Sequence, residues 1–207
     1  MDKINFLNAQ WRSVFGGMDT HQPLFDKLIA HYQQPNRHYH NITHLYECFL
    51  WFDEIKDKLY QANLVAMALF YHDVIYDSKS RHNEQMSADM MKAELSGILD
   101  NTSTNIIYQY ILATKNHHNF LPLHNKYKND LDYLLDMGLA ILGNNPQRFD
   151  EYQTQIRQEY AWVNCLIYKF KRKSVLKQFY DKDRIYLTDY FYDKLENRAR
   201  ENLKTTL

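Results

Sequence analysis

The sequence predicts an all-α protein, a single-domain bundle of roughly eight to ten helices. Its 207 residues include only five Gly and four Pro, far fewer than a turn-dense β protein needs. Apolar residues recur at helical spacing along most of the chain, and no strand-like alternation of useful length occurs. A chain of this length can bury a sizeable core.

Five helices are predicted in the first half of the chain. Pro23 suits the first turn of the second helix, which Pro35 ends. The fourth begins with a continuous apolar run, and Asn83 could cap the fifth. The predicted helices are residues 4–15, a segment that begins near Pro23, and residues 43–59, 62–76 and 83–99.

Five more helices are predicted in the second half of the chain, and a polar loop centred on Pro122 separates the first of them from the second. Gly143 is a suitable C-terminal stop for one helix, and Pro146 suits the first turn of the next. The predicted helices are residues 103–116, 131–142, 146–163, 169–179 and 189–203.

The predicted domain covers residues 1–207, with a metal-site core of about 37–143 on which the helices of residues 145–207 pack. Lys+Arg and Asp+Glu balance at 25 each, so no net field recruits nucleic acid or an anionic membrane. The basic run at residues 169–173 is more typical of a solvated helix face than of a nucleotide contact. Two separated cysteines in apolar helical contexts, with no signal peptide and no spanning segment, predict a cytoplasmic protein.

Adjacent His72 and Asp73 end an apolar stretch, residues 64–71, that should be buried by its own hydrophobicity. Burying an imidazole and a carboxylate is costly unless something pairs with them. A divalent metal ion is one such partner, because neutral imidazole and ionised carboxylate both ligate it. The pair alone is weak evidence, since a lone buried His is more often a core residue with its hydrogen bonds satisfied.

Two further residues strengthen the metal hypothesis. His44 lies near the start of the predicted helix that precedes the one carrying His72. If the two helices pack antiparallel, the end of the second helix lies beside the start of the first, so His72 would lie level with His44. Asp136 interrupts another apolar helix, and ligands drawn from separate helices are a common way to build a metal site in a helical core. His40 would share a helix face with His44 and could replace it as a ligand, although the sequence favours His44.

The order His44, His72-Asp73, Asp136 resembles the HD-domain superfamily of metal-dependent phosphohydrolases. Within that superfamily the chain is similar to a branch of predicted HD phosphohydrolases, and the similarity covers most of the chain. Gly138 departs from the branch, which often has an acidic residue there. The matching segments are residues 37–44, 71–77, 83–88, 113–117, 136–143, 157–160 and 196–203, and the region around Arg172.

The resemblance implies that His44, His72, Asp73 and Asp136 ligate a metal ion. Four protein ligands leave two positions of an octahedral ion for water and substrate phosphate. Mixed nitrogen and oxygen ligation suits Mn²⁺, Fe²⁺, Ni²⁺, Co²⁺ or Zn²⁺, with Mg²⁺ also admitted, and one or two ions would be bound. Asp73 could also orient the attacking water.

Further residues around this set are candidates for catalysis and substrate binding. His117 could bind a second metal, act as a general acid or be a polar loop residue. Glu84 could activate or hold water near the metal, or equally stabilise the N-terminus of its helix. Arg37, His40 and Lys115 are candidate phosphate contacts, because a phosphoester pocket needs cationic donors, although each could nearly equally be a solvated surface group.

The sequence therefore predicts an enzyme, a metal-dependent phosphohydrolase that cleaves a small phosphoester, such as a nucleotide or a related metabolite, with metal-activated water. One alternative is a phosphodiesterase that acts on a cyclic or linear nucleotide. Another is a non-catalytic helical protein that keeps the metal for ligand binding or regulation. We expect a small phosphorylated substrate as the partner, and no binding to a membrane or to nucleic acid. The sequence leaves open whether the chain forms a homo-oligomer.

Overall fold

The computed structural model describes residues 2–17, 21–116 and 124–207. Within these ranges it contains ten α-helices and no β-strand, which confirms the all-α prediction. The helices are α1 (Lys3–Val14), α2 (Gln22–Tyr32), α3 (Ile42–Ile55), α4 (Ala62–Tyr71), α5 (Asn83–Leu95), α6 (Asn101–Ala113), α7 (Asn125–Leu139), α8 (Pro146–Glu159), α9 (Cys165–Tyr180) and α10 (Asp189–Lys204). The chain packs as two compact units, Met1–Leu135 and Asp136–Leu207, which divide within α7.

The first unit is built around α4, in which residues 64–71 are all buried. Helix α4 packs against α1, α3, α5 and α6. The rings of Trp11 and Phe49 lie 5.1 and 4.3 Å from the ring of Phe70. Burying a large apolar side chain stabilises the fold by about 1.5–3 kcal/mol, so this packing fixes the end of α4 in the core.

Helix α4 ends at Tyr71, earlier than the sequence predicts. In the turn that follows, the amide of Val74 donates to the carbonyl of Tyr71 at 3.2 Å, and side chains make further hydrogen bonds to the backbone. Arg37 donates to the carbonyls of Asp73 and Val74, and the amide of Ile75 donates to the hydroxyl of Ser87. These bonds replace the next helical turn, so Asp73 lies in a turn outside α4.

Asn83 is the first residue of α5 and does not cap it as predicted. Its side-chain oxygen accepts from the amide of Asp77 at 3.1 Å, and its side-chain nitrogen donates to the Asp77 carbonyl at 2.9 Å. The asparagine therefore closes the loop between α4 and α5. Helix α7 begins at Asn125, before the predicted start at Leu131.

The second unit places α10 against a short 3-10 turn, Ala140–Gly143, that follows α7. A Cβ on Gly143 would lie 2.6 Å from Leu195 Cβ, so the close approach of α10 requires glycine there. The side-chain amide of Asn202 donates to the carbonyls of Leu142 and Asn144. Gly143, predicted as a helix stop, thus also serves as a packing contact.

A second arginine ties the segment before α10 together. Arg200 donates to the carbonyls of Tyr180, Lys182 and Asp183 at 2.9–3.1 Å, and to the carboxylate of Glu196 at 2.8 Å. These bonds give donors to the carbonyl of the last residue of α9 and to two carbonyls of the turn that follows it.

Helix α9 buries only Leu176. Lys169, Lys171 and Lys173 of the basic run are exposed, whereas Arg172 donates to the side-chain oxygen of Gln153 at 2.6 and 3.1 Å. The run therefore forms a solvent-exposed helix face. None of the helices in the described ranges is both long and apolar enough to cross a membrane.

Candidate metal centre

Two helix ends in the first unit position the central histidines. The side chain of Asn41 accepts a hydrogen bond from the amide of Thr43 at 2.8 Å, so α3 begins there and His44 lies in its first turn. His72 directly follows the last residue of α4, and its amide donates to the Ala68 carbonyl at 2.9 Å, which closes the final turn of that helix. Both imidazoles are consequently held by regular backbone structure.

Three electron-pair donors converge between these helix ends. His44 Nε2 lies 3.2 Å from His72 Nε2. Asp73 Oδ2 lies 3.0 Å from His72 Nε2 and 3.5 Å from His44 Nε2. The side chains of His44 and His72 are 4% and 7% exposed and that of Asp73 is 17% exposed, so the carboxylate forms the most accessible edge of this cluster.

The hydrogen bond at Nδ1 of His72 sets the tautomer of that ring. His72 Nδ1 lies 2.7 Å from the carbonyl oxygen of Leu69, which can only accept, so Nδ1 carries the proton. In the neutral ring, Nε2 then presents a lone pair to the cluster. Metal-ligating histidines commonly have this arrangement, in which a backbone carbonyl sets the tautomer.

Burial and the neighbouring charges shift the pKa values of the cluster. Burial acts to raise the pKa of Asp73, but His72 and the hydrogen bonds from both imidazoles outweigh it and hold that pKa well below its usual range. Burial lowers the pKa of His44. Burial also acts to lower the pKa of His72, but Asp73 and the Leu69 carbonyl reverse the direction and raise it. At neutral pH, Asp73 is therefore ionised and His44 neutral, the forms that ligate metals, whereas the raised pKa of His72 favours a protonated ring whose Nε2 proton a metal ion would displace.

The spacing of the donor atoms fits a metal ion. Bonds of about 2.1 Å separate neighbouring ligand atoms by about 3.0 Å on an octahedron and about 3.4 Å on a tetrahedron. The three observed separations span 3.0–3.5 Å. Lone pairs that face one another at this distance repel unless a proton or a cation lies between them. Hydrogen bonds from the two imidazoles to Asp73 can satisfy the cluster without a metal, and a divalent ion would satisfy all three atoms at once in their place.

Cys48 is a member of this site that the sequence analysis did not single out. His44, Cys48 and His72 form a buried group that could hold a metal ion, with ligand atoms within 4.8 Å of one another. Burial raises the pKa of the Cys48 thiol well above its usual value, so the thiol is protonated. Its sulfur lies 3.9 Å from both ring nitrogens of His44, and is therefore not directed at Nε2 alone. The spacing of four residues between His44 and Cys48 on one helix was the signal available in the sequence.

Substitution of Cys48 separates the two candidate ligand sets. We expect Cys48→Ala to bind Zn²⁺ and Mn²⁺ nearly as tightly as the wild type, because the ionised carboxylate of Asp73 is the better third ligand. We expect Asp73→Asn to lower the affinity for both ions by at least about tenfold. Titration calorimetry measures the affinities. A Cys48→Ala protein that loses Zn²⁺ as completely as Asp73→Asn would show that the thiol is a ligand.

Asp136 is the first residue of the second unit and is buried there. Its Oδ1 accepts from the amide of Leu187 at 2.8 Å, and its Oδ2 accepts from the amide and hydroxyl of Thr188 at 2.8 and 2.7 Å. These bonds hold the segment that leads into α10. The carboxylate thus has a structural use, and its role as a metal ligand stays a prediction.

The predicted phosphate contacts differ in their surroundings. Arg37 is 5% exposed and directs its N–H groups at backbone carbonyls, which favours a structural role. His40 is half-buried and stacks on Tyr76 with ring centroids 4.1 Å apart, while its ring lies 5.8 Å from that of His44. Lys115 is exposed and donates to the carbonyl of Arg81 at 2.8 Å. Of the three, His40 is placed beside the cluster and is still partly accessible.

The two remaining catalytic candidates stay predictions. Glu84 lies half-buried in the first turn of α5, where a carboxylate can stabilise the helix N-terminus. His117 lies outside the described residues.

Comparisons with known proteins give this site no name. No family model matches the chain, and neither the curated proteins nor the solved structures include a significant match. The relationship to the HD-domain superfamily accordingly stays a prediction from the sequence.

Proposed function

We propose that this chain is a metal-dependent phosphohydrolase that cleaves a small phosphoester, such as a nucleotide or a related metabolite. One observation carries the proposal, the convergence of His44 Nε2, His72 Nε2 and Asp73 Oδ2 within 3.0–3.5 Å. The order of these residues in the sequence, which resembles that of HD-type phosphohydrolases, supports hydrolysis as the reaction.

The donor set suggests a division of roles. His44, His72 and Asp73 would hold the ion. When bound, such an ion polarises a phosphoryl oxygen and activates water. Asp73 directs Oδ2 at the imidazoles, which leaves its second oxygen to orient the water that attacks phosphorus. His40, beside the cluster, could donate a hydrogen bond to the substrate phosphate.

A panel of phosphomonoesters and phosphodiesters tests the reaction. We expect the wild-type protein to hydrolyse at least one monoester after loading with Mn²⁺, Ni²⁺, Co²⁺ or Zn²⁺, and to lose the activity on chelation. Cleavage of diesters alone would instead identify a phosphodiesterase. A protein that is loaded with metal and inert across the whole panel would contradict the proposal.

A non-catalytic metal protein is the second candidate, because the imidazoles of His44 and His72 are only 4% and 7% exposed. Structural metal sites are closed, whereas catalytic sites keep a position open to substrate. Metal that raises the melting temperature and supports no turnover would favour this candidate. The greater exposure of Asp73 favours the enzyme.

A further inference from the structure

Arg37 joins the two chain segments that carry the metal-site residues of the first unit. Its Nη1 donates to the carbonyl of Asp73 at 2.6 Å and to that of His40 at 3.2 Å, and its Nη2 donates to the carbonyl of Val74 at 2.7 Å. Its Nε donates to the side-chain oxygen of Gln34 at 3.2 Å. One guanidinium group therefore bonds to the segment before α3 and to the turn after α4.

The surroundings of Arg37 keep this group in place. The residue is 5% exposed, and its guanidinium carbon lies 5.2 and 5.8 Å from the ring centroids of Tyr32 and Tyr76. The hydroxyl of Tyr32 donates to the carbonyl of Phe70 at 3.1 Å, in the last turn of α4. Hydrogen bonds from a charged donor are about twice as strong as neutral ones, and arginine stays charged even when buried.

We propose that Arg37 is a positioning residue of the metal centre. The inference depends on the proposed metal site and assigns Arg37 a task other than the phosphate contact predicted from the sequence. His40 lies four residues before His44 and two residues before the first residue of α3, and Asp73 is bonded to Arg37 through its own carbonyl. The guanidinium thereby sets the separation between the His44 imidazole and the Asp73 carboxylate. Lysine cannot make these bonds together, because its donors share one nitrogen.

The test compares Arg37→Lys with Arg200→Lys. Arg200 is a matched control, because it also donates to three backbone carbonyls but belongs to the second unit. Three quantities are measured for each protein: the melting temperature, the affinities for Zn²⁺ and Mn²⁺, and the ring ¹⁵N shifts of the histidines in the metal-free protein at one pH.

We expect both variants to melt at a lower temperature than the wild type. Only Arg37→Lys should weaken metal binding, by about 10- to 100-fold, the range typical of residues that orient ligands. It should also shift the ring ¹⁵N signals of His44 and His72. Metal affinities and ring signals equal to those of the wild type would overturn the inference, whatever the melting temperature.

Gln34→Ala provides a second variant if Arg37→Lys does not fold. Gln34 is exposed, and its loss removes only the acceptor of Arg37 Nε. We expect a smaller loss of metal affinity and smaller shifts of the same ring signals, and no change in either would overturn the inference. If the wild type binds no metal, the proposed function fails, while the metal-free ring ¹⁵N shifts still decide whether Arg37 positions His44 and His72.

Discussion

We expect His72→Ala to lose metal binding and phosphoester hydrolysis together. His72 Nε2 is the central donor, 3.2 Å from His44 Nε2 and 3.0 Å from Asp73 Oδ2. Its removal leaves two of the three converging donors, too few to hold an ion tightly. The metal affinity should fall by more than about 100-fold, beyond the usual cost of losing a residue that only orients a ligand. Metal content and turnover of one preparation measure both losses.

His21→Ala is the matched control for this substitution. His21 precedes α2, and its ring lies tilted against that of Phe15, with ring centroids 4.4 Å apart. This variant removes an imidazole from the same unit but outside the cluster, so metal content and turnover should be unchanged. A folded His72→Ala protein that keeps a full equivalent of metal would show that His72 is not a ligand. If it also kept full turnover, the proposed mechanism would be wrong.

The second large effect is expected at Asp136, on stability. Asp136→Asn keeps the shape of the side chain but turns an acceptor oxygen into an amide donor. If the new amide group replaces Oδ1, the N–H of Leu187 loses its acceptor and faces another donor; if it replaces Oδ2, both Thr188 donors do. Each buried group left unsatisfied costs about 1–3 kcal/mol, so we expect the free energy of unfolding to fall by about 3 kcal/mol. Urea denaturation measures this change.

Asp150→Asn controls for the loss of a negative charge in the same unit. Asp150 lies on the exposed face of α8, where the substitution should change stability by no more than about 0.5 kcal/mol. Unchanged stability of Asp136→Asn would show that its hydrogen bonds to the segment before α10 contribute little. Metal affinity measured on the folded Asp136→Asn protein then tests the ligand role that the resemblance implies.

The helices could be predicted because their signals are local. The apolar run of residues 64–71 marks α4 as a core helix, and the structure buries all of it. The same run indicates that His72 and Asp73 enter the core with it. Pairing with His44 follows from the succession of two helices, and the structure brings the two Nε2 atoms to 3.2 Å.

The parts that the sequence missed depend on contacts between distant residues. Asp136 accepts hydrogen bonds from residues 51 and 52 positions further along the chain, and Arg37 bonds to carbonyls 36 and 37 positions away. The spacing of apolar residues along the chain does not predict contacts between residues so far apart. The early end of α4 has the same origin, because Arg37 and Ser87 satisfy the backbone that a longer helix would have used.

Diffraction at the absorption edge of a bound metal locates the ion that we propose His44, His72 and Asp73 hold. Crystals of the wild-type protein loaded with Mn²⁺ or Zn²⁺ should show an anomalous peak within about 2.3 Å of His44 Nε2, His72 Nε2 and Asp73 Oδ2. A second peak nearby would indicate a two-ion centre. A metal-loaded crystal with no anomalous peak at these three atoms would contradict the account.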